Sequence, residues 1–154
     1  MKVIKSKEIN HRPKVSVLIS TYNKEKFINK TLDSVLKQSM DMRDFELIVV
    51  DDCSTDQTVD IVSKKIDSFS NYKFIQLDQN SGTPAKPRNL SIYLSKGKYI
   101  MFIDGDDWLP EDALEKLYTL LKTNKTDYAT GLTKYVHSDR IARSGVALSK
   151  IAYY

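Results

Sequence analysis

Tyr99-Ile-Met-Phe-Ile-Asp104-Gly105-Asp106-Asp107-Trp108 is the stretch on which the reading of this chain turns. Tyr99 to Ile103 is almost wholly apolar and ends abruptly in Asp104, Asp106 and Asp107. A short apolar run of this kind suits a strand buried on both faces, as in a parallel sheet. Ligands of open parallel sheets gather beyond the carboxyl ends of the strands, where these aspartates would lie. Carboxylates so close together repel unless a cation or a set of donors holds them. The stretch therefore predicts a hard divalent ion, Mg²⁺ or Mn²⁺, with water and substrate phosphates completing its shell. In isolation, Asp-Gly-Asp-Asp reads first as a polar turn of helix-capping aspartates. The rest of the chain decides.

Outward from that strand, the pattern repeats. Lys14-Val-Ser-Val-Leu-Ile-Ser-Thr21 reads as the first buried strand, and residues 1–13 as a flexible lead-in or edge segment. Glu25 to Gln38 carries Phe27, Ile28, Leu32, Val35 and Leu36 at helical spacing. Phe45-Glu-Leu-Ile-Val-Val50 is a second strand ending in Asp51-Asp52, and Ser54-Thr-Asp-Gln-Thr58 supplies an N-cap for a following helix. Tyr72 to Leu77 forms a third strand, with a loop through Asn89 and a short helix from about Pro87 to Ser95 that Gly97 ends. Pro110 opens a helix through Leu121 with a stripe of Leu114, Leu117 and Leu121. Strand–helix alternation predicts an α/β fold with a parallel sheet over residues 14–136. Asp127 to Val136 is a candidate further strand, and residues 137–154 form a tail without a firm assignment.

Composition bounds the function. The 154 residues make one domain with 41% apolar and 29% charged side chains, ordinary for a globular protein. A net charge of +4 is mild, and the basic residues are scattered, which argues against nucleic acid and is compatible with an anionic substrate. Cys53 is a lone cysteine, excluding an intrachain disulfide, and His11 and His137 show no ligand spacing. No run is long enough to span a bilayer and no signal-peptide core is present, so a cytoplasmic protein is expected, with peripheral association at the inner membrane face compatible.

The strand ends carry Thr21-Tyr22-Asn23, Asp51-Asp52 and Asp104 to Asp107. Each alone suits a capped turn. Together they suit a nucleotide diphosphate, with Tyr22 to stack on a base, Asp52 to accept from an imide N–H, and a metal on the acidic turn to stabilise a departing diphosphate. Asn80-Ser81-Gly82 can turn tightly, and Arg88 reads either as a partner of phosphate or Asp106, or as a surface arginine at a helix start. The chain has no Gly-x-Gly-x-x-Gly, no Walker-type loop and no Ser/Cys–His arrangement.

Val15-Ser-Val-Leu-Ile-Ser-Thr-Tyr-Asn23, Glu46 to Asp56, Asn80-Ser-Gly82 with Pro87-Arg-Asn89, and Phe102-Ile-Asp-Gly-Asp-Asp107 occur in this order. Together they resemble the N-terminal nucleotide-sugar-binding half of family 2 glycosyltransferases with the GT-A fold, a Rossmann-like, mostly parallel sheet flanked by helices. The Asn80 loop and the run from Asp51 to Thr58 look similar to bacterial wall teichoic acid glycosyltransferases, which add N-acetylglucosamine to polyribitol phosphate. The resemblance implies that Thr21, Tyr22 and Asp52 contact uridine, that Asn80 and Arg88 line the base and diphosphate region, and that Asp104 binds the ribose or sugar. It implies Asp106 as principal metal ligand with Asp104 and Asp107 beside it, Mn²⁺ or Mg²⁺ as cofactor, a UDP-sugar donor and an anionic glycopolymer or glycan acceptor.

Two departures stand out. Ser20 replaces the proline that many relatives carry before Thr-Tyr-Asn, and no Glu-Asp pair follows Asp112 to supply the acceptor's general base, Asp139 being the only acidic residue past Asp127. A fold incomplete at its C-terminus is expected, and self-association through an exposed core edge with it. A nucleotide-binding module without catalysis is the alternative. A nucleotidylyltransferase would need a glycine-rich loop after the first strand, which Thr21-Tyr-Asn-Lys-Glu25 lacks, and a receiver-like domain would disperse its acidic pocket.

Overall fold

The computed structural model of the chain describes residues 1–137 and 140–150, with side chains through residue 131. Its elements are β1 (Lys2–Lys7), β2 (Val15–Thr21), α1 (Ile28–Leu36), β3 (Phe45–Asp51), α2 (Thr58–Lys65), β4 (Tyr72–Gln76), α3 (Ala85–Leu94), β5 (Tyr99–Asp104), α4 (Ala113–Asn124), β6 (Tyr128–His137) and β7 (Arg140–Lys150). They build one sheet in the order β1-β4-β3-β2-β5-β7-β6. The central β4, β3, β2 and β5 pair in parallel, while β1 joins β4 and β7 joins both β5 and β6 antiparallel. The sheet is thus parallel where the strand–helix pattern is regular and antiparallel at its flanks.

Alternation along the strands explains why they are apolar throughout. Val17, Ile19, Val49 and Met101 face one side, where Leu32 and Val35 of α1, Val62 of α2, and Leu114, Leu117 and Leu121 of α4 cover them. Leu18, Ile48, Val50 and Ile100 face the other side, packed with Leu90 and Leu94 of α3. Both faces are covered, so neither can be polar. Each such side chain contributes about 1.5–3 kcal/mol on burial.

Several local expectations shift. The first helix begins at Ile28 rather than Glu25, and Phe27, expected on its apolar stripe, is 49% exposed because it precedes the first helical turn. The helix expected to end at Gly97 ends with Leu94, and its C-cap Ser95 is already extended. Gly97 instead abuts β2, where any Cβ would lie 2.5 Å from the Ser16 nitrogen. Within residues 1–13, Lys2–Lys7 forms the edge strand. In the tail, Arg140–Lys150 pairs with β5, matching Tyr99 to Lys150 and Met101 to Leu148. Asp139 lies outside the described residues.

Candidate functional site

Parallel register brings the polar strand ends level. Thr21 pairs with Asp51, Asp51 with Gln76, and Ser20 with Asp104. The chain then leaves β2 and β3 through residues with left-handed backbone, Asn23 (φ 50°) and Cys53 (φ 65°). That conformation is costly for Cys and persists only where the surroundings enforce it. Here they do. The Asp52 N–H donates to the Thr21 carbonyl at 2.8 Å, the Asn23 N–H to Ser54 Oγ at 2.9 Å, and the Thr55 N–H to Asn23 Oδ1 at 2.8 Å. The run from Ser54 to Thr58, expected as a helix cap, chiefly laces these two loops together. Only Asp56 serves the helix start, accepting the Thr58 N–H at 2.9 Å.

Beyond this edge lies a cleft of about 450 Å³ whose wall includes Thr21, Tyr22, Asp52, Asn80, Arg88, Asp104 and Asp106. Of the residues that the resemblance assigns to donor or metal, all line it except Asp107. Tyr22 is 42% exposed, offering an aromatic face to a ligand. Asp52 is buried, and its oxygens accept the Ser81 N–H at 3.0 Å and the Ser81 hydroxyl at 2.8 Å. Asn80 Nδ2 donates to the Asp52 carbonyl at 3.3 Å, and its Oδ1 accepts the Gly82 N–H at 2.7 Å, with Gly82 at φ 72°. A carboxylate with two oxygens has lone pairs left for a further donor.

The acidic turn is held by cations from the chain itself. Arg88, read from sequence as a partner of phosphate or Asp106 or as a surface arginine, donates to Asp104 Oδ1 at 2.5 Å. Lys24 takes Asp106, at 2.6 Å from Oδ2. Asp107 donates its N–H to the Asp104 carbonyl at 3.0 Å. Although the residue is exposed, partial desolvation of its carboxyl, then the charges of Asp106 and Asp104, push its pKa up. Among the described residues no group of three or more His, Cys, Asp or Glu side chains is arranged to hold a metal. An all-protein metal cage is therefore absent there. Single carboxylates remain compatible with an ion that takes most of its shell from water and phosphate. Two buried polar atoms in the cleft residues lack partners, Thr21 Oγ1 and Arg88 Nε. Unmade bonds of this kind are costly and suit a ligand-binding edge.

The sequence motifs passed over Lys24 and Ser81. Lys24 directly follows Tyr22-Asn23, and Ser81 sits inside the Asn80–Gly82 turn, so position was the only available signal.

The sequence profile of "Glycosyl transferase family 2" matches residues 16–145. The chain belongs to that family. This family 2 chain is 38% identical over 131 residues to a poly(ribitol-phosphate) beta-glucosyltransferase of Bacillus spizizenii, covering 85% of this chain and 21% of the relative. It is 41% identical over 114 residues to the poly(ribitol-phosphate) beta-N-acetylglucosaminyltransferase TarS of Staphylococcus aureus, covering 74% of this chain and 20% of TarS. The crystal structure of S. aureus TarS 1–349 in complex with UDP-GlcNAc superposes with a TM-score of 0.72 at 40% identity, covering 75% of this chain and 33% of that one. The family 2 chain thus spans about a fifth of the length of these curated relatives.

Proposed function

We propose that this chain forms the donor site of a metal-dependent, inverting glycosyltransferase that moves a sugar from a UDP-sugar, UDP-N-acetylglucosamine foremost, to an anionic cell-wall glycopolymer. The observation that carries the reading is the convergence of Tyr22, Asp52, Arg88 and Asp106 on one cleft at the carboxyl edge of the sheet. Support also comes from the TarS complex with UDP-GlcNAc, a protein of the same family.

Each residue has a task matched to its chemistry. Tyr22 stacks on the uracil, and Asp52, oriented by Ser81, accepts the imide N–H. Thr21, on the cleft wall, borders the nucleoside. Arg88, whose guanidinium suits a phosphate fork, faces the diphosphate, and Asp104 the ribose or sugar. Asp106, with Asp104 and Asp107 beside it, would hold Mn²⁺ or Mg²⁺, which supplies counter-charge for the departing UDP.

Calorimetric titration of UDP and UDP-N-acetylglucosamine with and without Mn²⁺, on wild type and Asp106→Ala, tests this. Metal-dependent binding lost in the variant is the expected result, and no binding of either nucleotide by wild type would overturn it. Release of UDP in the presence of polyribitol phosphate distinguishes transfer from donor binding alone.

A further inference from the structure

Lys24 is fixed in the cleft from several directions. Its backbone N–H donates to Oγ1 of buried Thr58 at 2.7 Å, tying it to the start of α2. Its stem lies over the glycine of the acidic turn, since a Cβ on Gly105 would meet Lys24 Cγ at 3.2 Å and Thr21 Oγ1 at 2.9 Å. From there the ammonium reaches Asp106 Oδ2 at 2.6 Å, with both side chains only partly exposed. On the same cleft Arg88 neutralises Asp104. Two of the three carboxylates on the turn read from sequence as needing a metal are thus already paired with side-chain cations.

We infer that Lys24 is the resident counter-ion of Asp106, that it competes with the divalent cation for this carboxylate, and that its transfer to the donor diphosphate couples metal entry to nucleotide binding. The inference rests on the cleft being the donor site. An ion arriving alone must displace the ammonium into solvent, because two cations on one carboxylate repel each other. When a diphosphate is present, the freed ammonium gains a new anionic partner. Metal and nucleotide therefore bind cooperatively, each raising the affinity of the other by the same factor.

Electron paramagnetic resonance of free Mn²⁺ reads the competition without any turnover. Lys24→Met keeps the stem over Gly105 and removes the charge. It should bind Mn²⁺ alone about fivefold tighter than wild type, the scale of a part-exposed ion pair. The gain in Mn²⁺ affinity on adding UDP should shrink by at least that factor. Lys24→Gln should follow Lys24→Met, and Lys24→Arg should bind Mn²⁺ alone as weakly as wild type. Unchanged or weaker Mn²⁺ binding in both uncharged variants, with wild type still taking up UDP with Mn²⁺, overturns the exchange and leaves the donor site standing. Wild type that takes up no UDP with Mn²⁺ overturns both.

Discussion

Glu46, near the amino edge of the sheet, is 1% exposed and accepts from the Ser16 hydroxyl at 2.6 Å, the Lys96 N–H at 2.5 Å and the Gly97 N–H at 3.1 Å. At the carboxyl edge, Asp104 and Asp106 are partly exposed, and each is held by one cationic side chain. Thr21 Oγ1 and Arg88 Nε there have no partner at all. Glu46 is spent on backbone and hydroxyl donors, whereas Asp104 and Asp106 are each held by a single ion pair. Glu46 pins the α3–β5 connection to β2. A fully satisfied buried carboxylate is fixed, whereas a pair with exchangeable partners can serve a ligand.

The largest expected effect would break the satisfied edge. Glu46→Ala orphans the Ser16 hydroxyl and the Lys96 N–H, leaves the Gly97 N–H with Ser16 Oγ alone, and should cost about 3 kcal/mol in chemical denaturation. Nucleotide affinity of the folded fraction should stay unchanged. At the opposite edge the pattern inverts. Tyr22→Ala removes the stacking face and should weaken UDP binding about tenfold by calorimetry, with the unfolding midpoint unmoved. Asp106→Ala, which breaks a part-exposed pair, should change stability by less than about 1 kcal/mol. A loss comparable to that of Glu46→Ala would erase the distinction between the edges.

The smallest effect sharpens the comparison through pH. Burial pushes the carboxyl of Asp51 up from its ordinary value of 3.8, against hydrogen bonds from Ser54 and Gln76. With its folded pKa above its unfolded one, Asp51 binds more protons in the native state across that window. Stability from this group is therefore present below 3.8 and is lost as pH rises through the folded value. Asp51→Asn does not titrate, so its melting temperature should gain on wild type between about pH 3 and about pH 7. A constant difference would contradict the shift.

The central strands were legible because burial on both faces leaves an unbroken apolar signature that ends sharply in polar residues. That signature placed Thr21, Asp52 and Asp104 on one edge before any coordinates. What escaped depends on distant partners. Lys24 meets Asp106 across 82 positions, and Ser81 meets Asp52 across 29, so neither contact leaves a local mark. The flanking β1 and β7 are likewise defined by the strands they join, through pairs such as Val3 with Ile75 and Tyr99 with Lys150. The acidic turn is a mixed case. Its composition pointed to a ligand site and carried no sign of the lysine and arginine that the fold brings to it from elsewhere.

Amide NMR of the labelled chain, titrated with UDP and Mg²⁺, tests the division between the edges most directly. Shifts should concentrate at Thr21–Lys24, Asp51–Ser54, Asn80–Arg88 and Asp104–Asp107, and leave Ser16, Glu46, Lys96 and Gly97 unmoved. Shifts centred instead on the groove at Glu8, Arg12 and Lys96 would contradict the account.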